Sequence, residues 1–287
     1  MKTDARVQID PARVERAIWR MAEFGADGET GVSRTVYSPE WIGATQELGA
    51  WLQAAGLRVT HDAVGNVWGR LDGTGGGKAI VTGSHIDSQT PGGRYDGALG
   101  IIAGYIAVTA LNEQFGLPQR PIEVLAFCEE EGSRFPDARF WGSQAITGLL
   151  TPERAEEVRG FAGESIGDAM RAIGLDPALV ATARRDDIDT FIELHIEQGP
   201  ILEHAGVPVA IVHAITGIRH ATVTLHGTAN HAGAFPMDLR RDPMAAAAEI
   251  ISGVIDTAHR MGRPAVTTVG RMVAEPNFPA IIPECVQ

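Results

Sequence analysis

Apolar residues along this chain fall into two rhythms, a helical spacing of three and four and a strand-like alternation or short run. Asp10-Pro11 is an N-cap followed by proline at the first helical position, and Val14, Ile18 and Met21 continue it as a helical stripe that ends near Gly25. Ser38-Pro39 repeats the signal. Trp41, Ala44, Leu48, Trp51 and Leu52 carry that helix to Gly56, a C′ residue. Leu57 to Thr60, Asn66 to Leu71, the β-branched run at Ala79 to Thr82, Ile122 to Phe127 and Asp189 to Leu194 read as strands. Gly97 to Phe115 reads as a small-residue helix able to pack close to a sheet, and Gly73 to Gly77 as a flexible turn. Thr151 to Arg184 is more polar and predicts short helices, with Ser165 and Asp168 as a capping pair. A helix follows from about Gln198 to His204.

From about Ala210 the pattern changes. Ala221 to Leu225 alternates as a half-buried strand, Asp242-Pro243 opens a helix through His259, and Pro264 to Met272 reads as another strand. This β-α-β rhythm places a domain boundary near residue 213, giving domains 1–212 and 213–287.

Composition narrows the class. The 287 residues are 44% hydrophobic, enough for a substantial core, and carry a net charge of −12. That balance, without a basic stripe, argues against a nucleic-acid partner. No unbroken apolar run reaches transmembrane length, so no membrane partner is expected. The N-terminal stretch Met1 to Arg6 lacks the apolar segment of a secretory leader. Two cysteines, Cys128 and Cys285, do not make a disulfide framework, and a cytoplasmic setting is the expectation.

The candidate chemistry gathers where three strands end. Gly83-Ser84-His85-Ile86-Asp87 closes one strand, with Asp96-Gly97 shortly after it. Glu129-Glu130-Glu131 closes the second and His195 follows the third. Ligands of open α/β sheets collect outside the carboxyl ends of strands. His85, Asp96, Glu131 and His195 offer two imidazoles and two carboxylates, a donor set suited to divalent first-row ions and to a pair of them. Asp87, two residues beyond His85, is placed to accept the other ring N–H of a ligating histidine. Any one of these residues alone reads equally well as an ordinary polar loop residue; several strand ends agreeing is what favours a metal site. Of the adjacent Glu130 and Glu131, one can hold metal and the other serve as general base, and spacing does not say which. Glu129 is expected to point elsewhere, into solvent. Arg219 and Arg240 are candidates for a substrate carboxylate, with salt bridges inside their own domain as the alternative. His213, His220 and His226 read as packing or surface residues, and His61, His204 and His259 carry no motif.

Gly-Ser-His-Ile-Asp at 83–87, Gly-Gly-Arg-Tyr-Asp-Gly at 92–97, Glu-Glu-Gly-Ser-Arg-Phe at 130–135, Gly142-Ser143, Glu-Leu-His-Ile-Glu-Gln-Gly at 193–199 and Gly-Thr-Ala-Asn-His-Ala-Gly at 227–233 follow one another in one order. From about residue 10 to 275 the chain resembles the hydantoinase/carbamoylase amidases, relatives of the two-zinc aminoacylases and carboxypeptidases. The resemblance implies an α/β fold. A phosphorylase/hydrolase-like mixed sheet with helices on both faces would form the catalytic domain, joined to part of an α+β ferredoxin-like lid that serves dimerisation. It implies two divalent ions, zinc or else manganese, cobalt or nickel. It makes Asp96 the bridging carboxylate, His85 and His195 ligands of one ion, Glu131 a ligand of the other and Glu130 the general base acting on a bridging water. It makes Gln198 a substrate contact, His231 the lid histidine that stabilises the tetrahedral oxyanion, often across a dimer interface, and Asn277 a further polar substrate contact. After Asn277 the family's Asn-Val-Ile-Pro is here Ala280-Ile281-Ile282-Pro283.

The implied activity is hydrolysis of the ureido group of an N-carbamoyl amino acid or allantoate, with release of ammonia and carbon dioxide. Glu129-Glu130-Glu131-Gly132 before Arg134-Phe135-Pro136 resembles the allantoate enzymes, and Gln89 to Tyr95 the carbamoylases, so the substrate stays open within small ureido acids. Family members continue past the point where this chain ends, to an Asp-x-Arg motif and a Gly-His-Asp segment whose histidine completes the site of the second ion. Gln287 falls inside the lid domain, which leaves Asp96 and Glu131 as the expected protein ligands of that ion and an unpaired sheet edge in the lid. An aminoacylase or dipeptidase on the same scaffold is one rival reading, and a catalytically impaired metal-binding remnant the other.

Overall fold

The computed structural model describes residues 6–287; residues 1–5, where the leader reading begins, lie outside the described residues. The chain divides into two compact units, Met1–Val209 and Ala210–Gln287.

In the first unit, helix α1 (Pro11–Ala22) starts on Asp10, whose side chain accepts from the Ala12 N–H, and α2 (Pro39–Ala54) on Ser38, which accepts from Trp41. α2 ends as the glycine predicts. Gly56 takes a positive φ, its N–H donates to Gln53 O, and the Leu57 N–H donates back to Leu52 O, while Leu57 is buried. Of the strands that follow, five form the main sheet: β1 (Arg58–His61), β2 (Val67–Leu71), β3 (Ala79–His85), β4 (Ile122–Phe127) and β5 (Ile188–Ile192). They are ordered β1-β2-β4-β3-β5 in one mixed sheet. β1, β2 and β4 pair antiparallel, whereas β4, β3 and β5 run parallel, so three strands end on the same edge.

Helix α3 (Ala98–Phe115) crosses from β3 to β4 and lies on the sheet. By length and composition it is apolar enough to span a bilayer, although its apolar run is interrupted by polar residues. Its buried residues, Ile101, Ile102, Ile106 and Val108 among them, belong to the main core instead. That core also takes Leu48 and Leu52 from α2 and Val67, Val124 and Ala126 from the sheet. Trp68, Ala79, Val81 and Leu125 point to the opposite face, where Ile146 of α4 (Trp141–Thr147) joins them. The polar stretch folds as α5 (Pro152–Glu157), α6 (Ile166–Ala172) and a 3-10 turn, with Ser165 and Asp168 forming a reciprocal capping box. A short helix, α7 (Ile201–Ala205), starts later than predicted.

The second unit holds α8 (Pro243–Met261), capped by Asp242, packed on a small antiparallel sheet of Ala274–Glu275, Cys285–Val286 and Leu225–His226. Two predicted strands are corrected here. Residues 221–224 and 264–272 make no ladder and are mostly exposed. Alternation supplies a face for burial, but a strand also needs a partner for its backbone, and pairing reaches only Leu225 on one side and Val273 on the other.

Candidate metal centre

His85 is the last residue of β3, and its imidazole is buried at 3% exposure. Gly97 stands against it: a Cβ there would lie 2.6 Å from the ring and 2.3 Å from the His85 carbonyl, and the backbone has φ 63°. The loop after β3 therefore folds back on the imidazole only with glycine at that point, which brings Asp96 to the ring. β5 ends at Ile192, short of the predicted Leu194, and the chain leaves the sheet toward α3. Gly100 permits this approach, since a Cβ would fall 2.3 Å from Leu194 O. The Ser84 hydroxyl donates to Glu193 Oε1 at 2.5 Å and ties the two histidine-bearing segments together.

His85 Nε2 and His195 Nε2 lie 3.5 and 3.2 Å from Asp96 Oδ1 and 3.4 Å from each other. Each ring places Nδ1 3.0 Å from a backbone carbonyl, Asp87 O for His85 and Ile196 O for His195. A carbonyl only accepts, so Nδ1 carries the proton and Nε2 the lone pair. Asp96 Oδ1 is buried and has no aligned donor. Three lone-pair atoms of the neutral rings and the carboxylate thus converge, an arrangement that calls for a cation between them, a metal ion or, failing that, a proton. Without an ion, protons on the rings take that place. Hydrogen bonding from His195 first, and then His85, holds Asp96 well below the usual carboxylate range. Burial pulls His85 down, but Asp96, Asp87 and Glu130 outweigh it and raise it to about 9. His195 is raised, chiefly by Asp96.

His85 also falls within a second group of possible ligands with Glu130 and Glu131. With one lone-pair nitrogen it serves only one ion, and Asp96 with His195 holds it most closely. Glu130 and Glu131 then have their carboxylates free for other work. Burial pushes Glu130 up, with Asp87 and Glu131 adding and the two histidines opposing. Glu131 Oε2 accepts from the Gln89 side chain at 2.8 Å. Gln198 does not stand free for a substrate: its Nε2 donates to Asp96 Oδ2 at 2.9 Å.

The loop bearing the glutamates is fixed from several sides. The N–H groups that open α4, on Trp141 and Gly142, donate to Glu129 O and Cys128 O. The Asn66 side chain accepts from Cys128 N and donates to Gly142 O, and Asp62 in turn accepts from Asn66 and Trp68. Asp87 corrects one expectation. Its carboxylate oxygens accept the N–H groups of Glu130 and Glu131, each at 3.0 Å, while Oδ1 stays 3.7 Å from the His85 ring, whose closer partner is the Asp87 carbonyl. Two strong peptide donors outcompete a ring N–H that a backbone oxygen already satisfies. Glu129 corrects another: it is fully buried, with φ 45°, and its Oε1 accepts from Phe135 N, bending the loop back on itself. Asp62, Asn66, Ser88 and Arg34 were not singled out from sequence; only Asp62 and Asn66 carried a local signal, the turn-forming chemistry of Asp and Asn.

His231, Arg219, Arg240 and Asn277 belong to the second unit. His231 pairs with Ile281 across a two-residue ladder, and its Nδ1 accepts from the N–H groups of Gly233 and Ala234, so its proton sits on Nε2. Arg240 donates to Ala232 O and Phe235 O and so closes the same turn, rather than forming a salt bridge. Arg219 lines an open cavity of about 420 Å³ between α8 and the unpaired segments. Asn277 is exposed.

Residues 81–283 match peptidase family M20/M25/M40, and the chain belongs to that family. It is 42% identical to the allantoate amidohydrolase of Escherichia coli (strain K12), over 94% of this chain and 66% of that protein. It is equally 42% identical to the N-carbamoyl-L-amino acid amidohydrolase of Geobacillus stearothermophilus, over 97% of this chain and 68% of that one. A crystal structure of a hydantoinase/carbamoylase family amidase from Burkholderia ambifaria superposes with a TM-score of 0.75 at 29% identity, covering 98% of this chain and 68% of that one. The chain thus spans about two thirds of the length of the curated relatives it matches.

Proposed function

We propose that the chain carries the metal centre of an amidohydrolase that cleaves the ureido C–N bond of N-carbamoyl-L-amino acids or allantoate. The observation that carries this reading is the convergence of His85 Nε2, His195 Nε2 and the donorless Asp96 Oδ1 beside Glu130. The two relatives at 42% identity, one named for allantoate and one for N-carbamoyl-L-amino acids, supply the substrate class.

His85, His195 and Asp96 would hold one divalent ion, and Asp96 and Glu131 would be the residues to hold a second. Bound there, such ions acidify water and polarise a carbonyl. Glu130 is the general base. Its carboxylate is partly withdrawn from water, which raises its proton affinity, and it holds the proton taken from water until the leaving nitrogen accepts it. Gln198 steadies Asp96 Oδ2. The oxyanion role carried over to His231 requires an N–H on Nε2, and the two backbone donors on Nδ1 supply that tautomer. A homodimer through the second unit and a cytoplasmic setting belong to the same reading and rest on the resemblance.

The test is metal analysis of the purified chain with zinc, manganese, cobalt or nickel, joined to an ammonia assay on an N-carbamoyl amino acid and on allantoate. Bound ions with ammonia release are expected. A chain that frees acyl acid from N-acyl amino acids and no ammonia from either ureido acid sinks the reading in favour of an aminoacylase. A chain that holds no ion under any of the four metals sinks it outright.

A further inference from the structure

The mechanism leaves one buried charge unused. Arg34 is 2% exposed, on the segment between α1 and α2. Its Nε donates to Ile86 O at 2.7 Å, the carbonyl between His85 and Asp87. Its Nη1 donates to Met21 O and Phe24 O, each at 2.9 Å, at the end of α1 and just beyond it. Its own peptide group brackets the other end of the loop: Arg34 N donates to Ser88 Oγ at 2.9 Å, and Ser88 N donates to Arg34 O at 3.0 Å. No carboxylate forms an ion pair with it among the described residues. Asp87 is the charge that opposes its desolvation.

Burying a guanidinium without a paired carboxylate is costly, since the charge leaves water with only carbonyls to receive it. Three carbonyls alone do not call for that, because a neutral amide could satisfy two of them. A fixed fork with several donors reaches two elements at once, the end of α1 and the loop after β3. Asp87 in turn holds the peptide N–H groups of Glu130 and Glu131. We propose that Arg34 is a positioning residue for the metal loop: it clamps Ile86 and Ser88 to the end of α1, and by holding the residues on either side of Asp87 it sets the backbone of Glu130 and Glu131.

This inference deepens the metal-centre reading and rests on it. Two variants test it. Arg34→Lys keeps the charge and loses the fork; Arg34→Met keeps the bulk and loses both. The readouts are zinc affinity by chelator competition and amide hydrogen exchange at residues 129–131, with Leu52→Ala, a cavity between α2 and β2, as a control for general destabilisation. We expect Arg34→Met to weaken zinc binding by at least about tenfold and to speed exchange at Glu130 and Glu131 by a similar factor. Arg34→Lys should fall between it and the parent, and Leu52→Ala should lower the melting temperature without moving either readout. If Arg34→Met fails to fold, Arg34→Lys decides alone. Variants with zinc affinity within twofold of the parent and unchanged exchange overturn the proposal, as does Leu52→Ala reproducing both effects. A parent chain that binds none of zinc, manganese, cobalt and nickel sinks the metal reading instead, and the exchange comparison still decides the role of Arg34 as a clamp.

Discussion

Both oxygens of Asp87 accept peptide N–H groups from the glutamate loop, which makes its carboxylate, rather than its reach toward His85, the part that matters. Asp87→Asn retains the shape but turns one acceptor into a donor facing an N–H. Zinc affinity should fall by roughly 10–100-fold with the fold intact, measured by chelator competition beside far-UV circular dichroism; unchanged affinity would show that the loop holds its shape without the carboxylate. Glu129 yields a pH prediction. Burial first, and then the Asp87 charge, push its carboxyl from an ordinary value of 4.5 to about 8. Between those values the folded metal-free chain keeps a proton that the unfolded chain has lost. Stability therefore falls as pH rises from 5 to 8, by at most about 1.4 kcal/mol per pH unit from this group. Glu129→Gln removes that dependence, so denaturant unfolding of the metal-free chain should show a flatter profile across this range. A slope equal to the parent's would show that Glu129 titrates normally. An acidic triplet reads as solvated, and the positive φ that turns Glu129 inward has no signature in a run of three glutamates.

Elements that were legible are those whose signals are local. The caps at Asp10, Ser38, Ser165 and Asp242 each sit where the pattern put them, because an N-cap satisfies its own helix within three residues. β4 was read to its exact ends from a single apolar run. The strands expected at 221–225 and 264–272 do not form, Leu225 apart, since their partners are not local and periodicity carries no information about them. The approach of the His195 segment to α3 is likewise a contact between distant residues, and Gly100 is its pivot. Gly100→Ala places a methyl 2.3 Å from Leu194 O. The segment must shift, and zinc affinity should drop by about tenfold or more while α3, which favours alanine over glycine, stays helical. Isothermal titration with zinc decides it, and parent-like binding would mean that the segment adjusts freely.

At the scale of the molecule the two units differ in what holds them. The first has a core that draws on α1 to α4 and the central strands, whereas the buried residues of the second unit's cluster are Ala247, Ala274 and Val286. Less buried apolar surface means a lower free energy of opening. Amides of α8 and of Cys285–Val286 should therefore exchange faster than those of β3 and β4, by at least an order of magnitude under native conditions; equal protection would contradict this ranking. Sequence by itself determined the α/β class, the order of α1 to α3 and of the five main strands in the first unit, and the residue types at the strand ends. These follow from periodicity and capping, which act over a few residues. Only the tertiary structure decided that His85, Asp96 and His195 meet with their lone pairs facing, that Glu129 is buried, and that Arg34 and Asn66 brace the loops from behind. Those facts depend on which distant backbones come within a few ångströms of each other. That is set by the parallel register of β3, β4 and β5 and by glycines that permit contact, neither of which any single segment encodes.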